Sequence, residues 1–99
     1  MSEKKKTQKV IFIVATNVDQ KLIDEIGFSE FLSKKRAELI EEFEAETVTI
    51  SVFGKAVYVI GVERDTEAID EIGFTRYLYK MREMLMNKFM TKQAFVVAV

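Results

Sequence analysis

Two rhythms of apolar and polar residues alternate along the chain. Val10-Ile11-Phe12-Ile13-Val14-Ala15 is a continuous β-prone apolar run, the pattern of a strand buried on both faces. From Phe28 to about Ala45, apolar residues recur at Phe28, Phe31, Leu32, Leu39, Ile40 and Phe43, with Glu38, Glu41, Glu42 and Glu44 on the other side. That spacing predicts an amphipathic helix. Thr47 to Val52 alternates strictly, as a half-buried strand does, and Ala56 to Val62 is a second apolar run. Phe74, Tyr77, Leu78, Met81, Met84, Leu85 and Phe89 return to helical spacing, and Ala94 to Val99 reads as a last strand.

The second half repeats the first. Ile23-Asp24-Glu25-Ile26-Gly27-Phe28 recurs unchanged as Ile69-Asp70-Glu71-Ile72-Gly73-Phe74, an offset of 46 (23 to 69). The match continues through Leu32/Leu78, Lys34/Lys80, Arg36/Arg82, Leu39/Leu85 and Phe43/Phe89. Such self-similarity points to a tandem duplication of one βαβ unit, with repeats at 10–53 and 56–99 inside a single domain of residues 10–99. Right-handed crossovers then give one four-stranded antiparallel sheet with both helices on one face, an α+β fold. The arrangement resembles the ferredoxin-like fold, with strand order 4-1-3-2. The resemblance is topological and implies no function.

A two-residue hairpin loop at Gly54-Lys55 would set Phe53 opposite Ala56, Ser51 opposite Tyr58 and Thr49 opposite Ile60. Opposed residues share a face. This register places Ile11, Ile13, Val48, Ile50, Val52, Val57, Val59 and Gly61 under the helices. It leaves Phe12, Val14, Tyr58, Ile60, Val62, Phe95 and Val97 on an open, apolar face. Monomers rarely leave so broad an apolar patch in water, so those seven residues are the expected interface of a homodimer. An apolar ligand in a dimeric α+β barrel is the alternative, with cofactor-free chemistry served by Asn17 or Tyr58. A haem-handling barrel typically needs a His ligand, which this chain lacks. A single-stranded nucleic-acid platform built on Phe12 and Tyr58 is disfavoured, because no Lys or Arg flanks them on that face.

Composition narrows the chemistry. The 99 residues include no Cys, His, Trp or Pro, and the net charge is −1. Disulfides, thiolate metal sites and imidazole chemistry are thereby excluded, and no strong field favours nucleic acid. The sequence shows no secretory h-region and no apolar run long enough for a membrane span, so the expectation is a cytoplasmic protein without a cofactor. The composition, rich in Lys, Glu and Arg, is compatible with a thermophilic source. Residues 1–9, with Lys4, Lys5, Lys6 and Lys9, read as a disordered basic arm.

The repeated carboxylates Asp24, Glu25, Asp70 and Glu71 are the candidates for a metal or acid–base site. The two central strands run antiparallel, so the loops after them leave from opposite ends of the sheet and the two pairs should not converge. Helix-end roles account for the motif instead: Gly27 and Gly73 at positive φ, with Ser29 and Thr75 as N-caps. Asn17, among the polar residues of the first connection, is a further candidate for a small site. With no nucleophile–base pair, phosphate loop or metal spacing, the expectation is a small structural or interaction protein without catalytic apparatus, its partner a second copy or an unknown protein.

Overall fold

The computed structural model describes residues 6–99. The elements are β1 (Thr7–Thr16), α1 (Gln20–Ile26), α2 (Phe28–Phe43), β2 (Thr47–Phe53), β3 (Lys55–Asp65), α3 (Thr66–Ile72), α4 (Phe74–Phe89) and β4 (Ala94–Ala98). The strands form one open antiparallel sheet in the order β2-β3-β1-β4, with the long β1 and β3 at its centre. The fold is α+β, with four helices among the described residues rather than the two long ones alone. The shortest extent of the molecule is 17 Å, the thickness of one sheet and one layer of helices.

Both halves build their helices alike. Asp19 accepts from the Leu22 amide at the start of α1, and Asp65 from the Glu67 amide at the start of α3. Each short helix stops at a glycine: Gly27 has φ 90° and ψ 155°, Gly73 φ 97° and ψ 133°. Side chains rarely tolerate that region, so the chain turns a corner where a non-glycine residue would favour one continuous helix. The glycine amides donate to Ile23 and Ile69, and their carbonyls accept from Phe31 and Tyr77, tying short and long helices to one residue. Glycine therefore occupies the cap position of α2 and α4. Ser29 and Thr75, expected as caps, lie inside the first turn instead, and no side chain caps either helix.

The core is made of even-numbered strand residues. Val10, Phe12, Val14, Val48, Ala56, Tyr58, Ile60, Val62 and Ala94 are buried, against Leu39, Phe43, Ile69, Tyr77 and Leu85 from the helices. Phe12 meets Phe43 at 5.8 Å between ring centres, Phe43 stacks on Phe89 at 6.2 Å, and Phe89 meets Tyr58 at 5.7 Å. This chain of rings links both central strands to the last turns of both long helices. Each such pair contributes about 0.5–1.5 kcal/mol beyond its buried area. At the sheet edges, Arg36 Nε donates to the Val48 carbonyl at 3.1 Å and its counterpart Arg82 to the Ala94 carbonyl at 2.9 Å. Helix-borne cations thus stand over both edge strands, where bare backbone would invite further pairing.

The sheet register corrects the expected faces. Gly54, at φ 76°, stands alone at the hairpin tip, and Phe53 pairs with Lys55, Val52 with Ala56 and Ile50 with Tyr58. A slip of one residue sends every side chain of a strand to the other face. Relative to β2, the whole of β3 is inverted from the expectation, and β1 with it, whereas β2 and β4 stand as expected. β1 also begins earlier than the expected boundary at residue 10: Thr7, Gln8 and Lys9 pair with Asp65, Arg64 and Glu63. Lys4 and Lys5 of the expected arm lie outside the described residues.

Candidate functional site

Odd-numbered strand residues form the face that no helix covers. Two cross-strand rows define it: Val59, Ile13 and Phe95, then Gly61, Ile11 and Val97, each running β3 to β1 to β4. Ile11, Ile13, Val57 and Val59 are half-buried, while Phe95 is 57% exposed and Val97 47%. β2 adds the exposed Thr49 and Ser51, and Lys9 opposes Glu63 at one end. The centre is therefore apolar and aliphatic, with charge kept to the ends of the strands.

Of the seven residues expected on this face, the structure puts only Phe95 and Val97 there. Phe12, Val14, Tyr58, Ile60 and Val62 are at most 4% exposed and lie beneath the helices, because the hairpin closes one residue tighter than a two-residue loop would. The sequence reading missed Ile11, Ile13, Val57 and Val59. A signal existed: Lys9, Lys55 and Glu63 share their parity, and charged strand ends favour the solvent side. With Phe12 and Tyr58 in the core, the aromatic platform that would stack bases is absent from the open face.

The repeated carboxylates do not come together. β1 and β3 are antiparallel neighbours, so α1 and α3 leave opposite ends of the sheet. Asp24 accepts from Gln20 Nε2 at 2.9 Å within its own helix, and among the described residues no three acidic side chains group as a metal site would require. Asn17 instead borders a polar cleft of about 270 Å³ with Thr16, Lys55, Thr91, Lys92 and Gln93, and none of Asp24, Glu25, Asp70 and Glu71 lines it. A larger groove of about 440 Å³ runs between α2 and β2, walled by Leu32, Ile40 and Ile50 with Arg36 beside them.

Two core phenols are electrostatically displaced. Burial pushes Tyr58 above its usual value, and the charges of Glu38 and Asp19 push the same way. Burial also raises Tyr77, with Arg64 pulling against it. Both are neutral at physiological pH. Among the described residues no helix is long and apolar enough to cross a membrane. No protein-family model, curated protein or solved structure matches this chain. The geometry alone carries the functional reading.

Proposed function

We propose that this chain is a structural or interaction module of the ferredoxin-like type, formed by tandem duplication, that assembles as a homodimer through the odd-numbered face of its sheet. The observation that carries the reading is the row Val59-Ile13-Phe95 with its neighbour Gly61-Ile11-Val97, apolar and uncovered in the single chain. Four strands spaced about 4.8 Å apart and some six residues deep give roughly 400 Å² in projection. That is about half of the ~800 Å² that each partner of a standard interface buries, the scale of a small interface. Short aliphatic side chains favour flush sheet-on-sheet packing over a cavity that would hold an apolar ligand. A two-fold axis through the face would bring Ile13 of each copy near its mate.

Light scattering tests this directly. The wild-type protein is expected at twice the chain mass, and Ile13→Glu, which sets like charges across the two-fold, at the single-chain mass with its helical circular dichroism retained. A wild-type monomer at micromolar concentration overturns the reading. A small molecule retained in native mass spectrometry of the dimer would move it toward the ligand-binding barrel.

A further inference from the structure

The repeat gives the molecule two ends that share a backbone plan and differ in charge. At one end stand Lys9, Glu44, Glu46 and Glu63, and the positions corresponding to them at the offset of 46 are Lys55, Met90, Lys92 and Asn17. The plan is common to both: Glu44 and Met90 are each a left-handed helix cap, and the Ala45 and Thr91 amides donate to the matching carbonyls of Ile40 and Met86. Three carboxylates at the first end are thus replaced by methionine, lysine and asparagine at the second. The cleft volumes differ as well, about 130 Å³ beside Lys9 and Glu46 against about 270 Å³ beside Lys55 and Lys92.

The second cleft has fixed walls and cationic rims. Thr16 Oγ1 donates to the Phe89 carbonyl and Thr91 Oγ1 to the Ala15 carbonyl, which ties the end of β1 to the loop before β4. Lys55 Nζ donates to Gln93 Oε1 at 3.0 Å, leaving two ammonium protons and the Gln93 amide NH2 for another acceptor. No carboxylate is among the described residues that line the cleft, and the nearby Asp19 accepts from the Leu22 amide. Phe53, 95% exposed, pairs with Lys55, and Met90, 90% exposed, lines the cleft, so two apolar side chains flank the lysines.

We propose that this cleft binds a phosphate-type oxyanion between Lys55 and Lys92, with Asn17 and Gln93 as neutral donors. The inference is independent of dimerisation. Two ammonium groups are point charges suited to a dianion, and their attraction is undiluted by any acidic lining residue. The phosphate can be free or the headgroup of an anionic lipid, and the two sources separate by experiment.

Amide shifts followed by NMR during titration with inorganic phosphate, against sodium chloride at matched ionic strength, provide the test. Saturable shifts confined to residues 16–17, 55 and 90–93 are expected. Lys55→Gln with Lys92→Gln should weaken binding about tenfold or more, while Lys9→Gln at the opposite end should bind as the wild type does. Shifts that fail to saturate, that chloride reproduces, or that Lys9→Gln diminishes equally overturn the proposal. Co-sedimentation with phosphatidylcholine vesicles, with and without phosphatidylglycerol, gives the second arm. Retention only on the anionic vesicles, lost in Phe53→Ser with Met90→Ser while phosphate binding persists, identifies a headgroup; phosphate binding without retention identifies a free anion. Retention without saturable phosphate binding reveals diffuse surface attraction and overturns the cleft.

Discussion

The two faces of the sheet are alike in hydropathy and opposite in fate. On β1 and β3 the even positions Val10, Phe12, Val14, Tyr58, Ile60 and Val62 are at most 4% exposed, while Ile11, Ile13, Val57 and Val59 between them stay half-exposed. What separates the sets is one ring on each strand, Phe12 and Tyr58, since the other even positions are Val or Ile like their odd neighbours. A helix layer stands off the sheet, and the rings of Phe12 and Tyr58 span that gap to reach Phe43 and Phe89. Between its charged ends the other face carries Ile11, Ile13, Val57, Val59 and Gly61 on these strands, a low relief suited to another sheet. On the two central strands the rings mark the side on which the helices lie.

The strongest way to break this comparison is a charge at neighbouring positions. Ile60 is 0% exposed, and Ile60→Glu leaves a carboxylate unpaired and desolvated in the core. The penalty is comparable with the whole stability of a small domain, about 5–15 kcal/mol, so the variant should lose its helical circular dichroism. Val59→Glu points the other way and should stay folded, with its effect confined to assembly. The reverse result would return β3 to the inverted register.

Alkaline titration sharpens the same contrast from the core side. Tyr58 and Tyr77 have values raised above the usual 10.0, chiefly by burial. The folded state therefore keeps protons that the unfolded chain releases near pH 10. Their contribution is fully present below pH 10 and is lost as pH rises through the folded values. Circular dichroism and tyrosinate absorbance should change together above pH 10. Tyr58→Phe and Tyr77→Phe should each postpone the transition; burial raises both phenols, reinforced by Glu38 and Asp19 at Tyr58 and opposed by Arg64 at Tyr77. Equal midpoints in wild type and both variants would refute the assignment.

Strands, long helices and the glycine corners were legible because each rests on local pattern: runs such as Val10–Ala15, spacing such as Phe31–Leu39–Phe43, and a six-residue repeat. The sheet faces were misread, because continuous apolar strands carry no alternation and the decision was given to one hairpin rather than to the shared parity of Lys9, Lys55 and Glu63. Gly54 closes that hairpin with Phe53 against Lys55, and nothing in the letters Phe-Gly-Lys-Ala distinguishes that turn from a two-residue one. Asn17 was legible as a polar loop residue, but its companions Lys55, Lys92 and Gln93 come from two distant segments that only the fold unites.

The glycine corners compare the halves directly. An Ala at Gly27 or Gly73 meets nothing within 4 Å, so the cost is purely that of backbone strain at positive φ. About 1–3 kcal/mol is expected at each, equal within error, as read from urea midpoints at constant slope. A markedly smaller loss at one site would show that its half can straighten into a single longer helix.

The smallest effect lies on the open face, at Gly61. It pairs with Thr47, and a Cβ built there would stand 2.4 Å from Thr47 Oγ1. The backbone of Gly61 has no positive φ, so the obstacle is the threonine alone. Turning Thr47 off its rotamer costs about 0.5–1.5 kcal/mol. Against this, replacing Gly by Ala stabilises by about 0.4–1 kcal/mol through the unfolded chain. Gly61→Ala should thus be near neutral to mildly destabilising in the wild type. In a Thr47→Ala background the clash is gone and the same substitution should become stabilising, whereas Thr47→Ser retains the hydroxyl and should not reverse the sign. A double-mutant cycle measures the coupling. Additive effects would mean that Thr47 turns away without cost and that Gly61 is not required for the approach of β2 to β3.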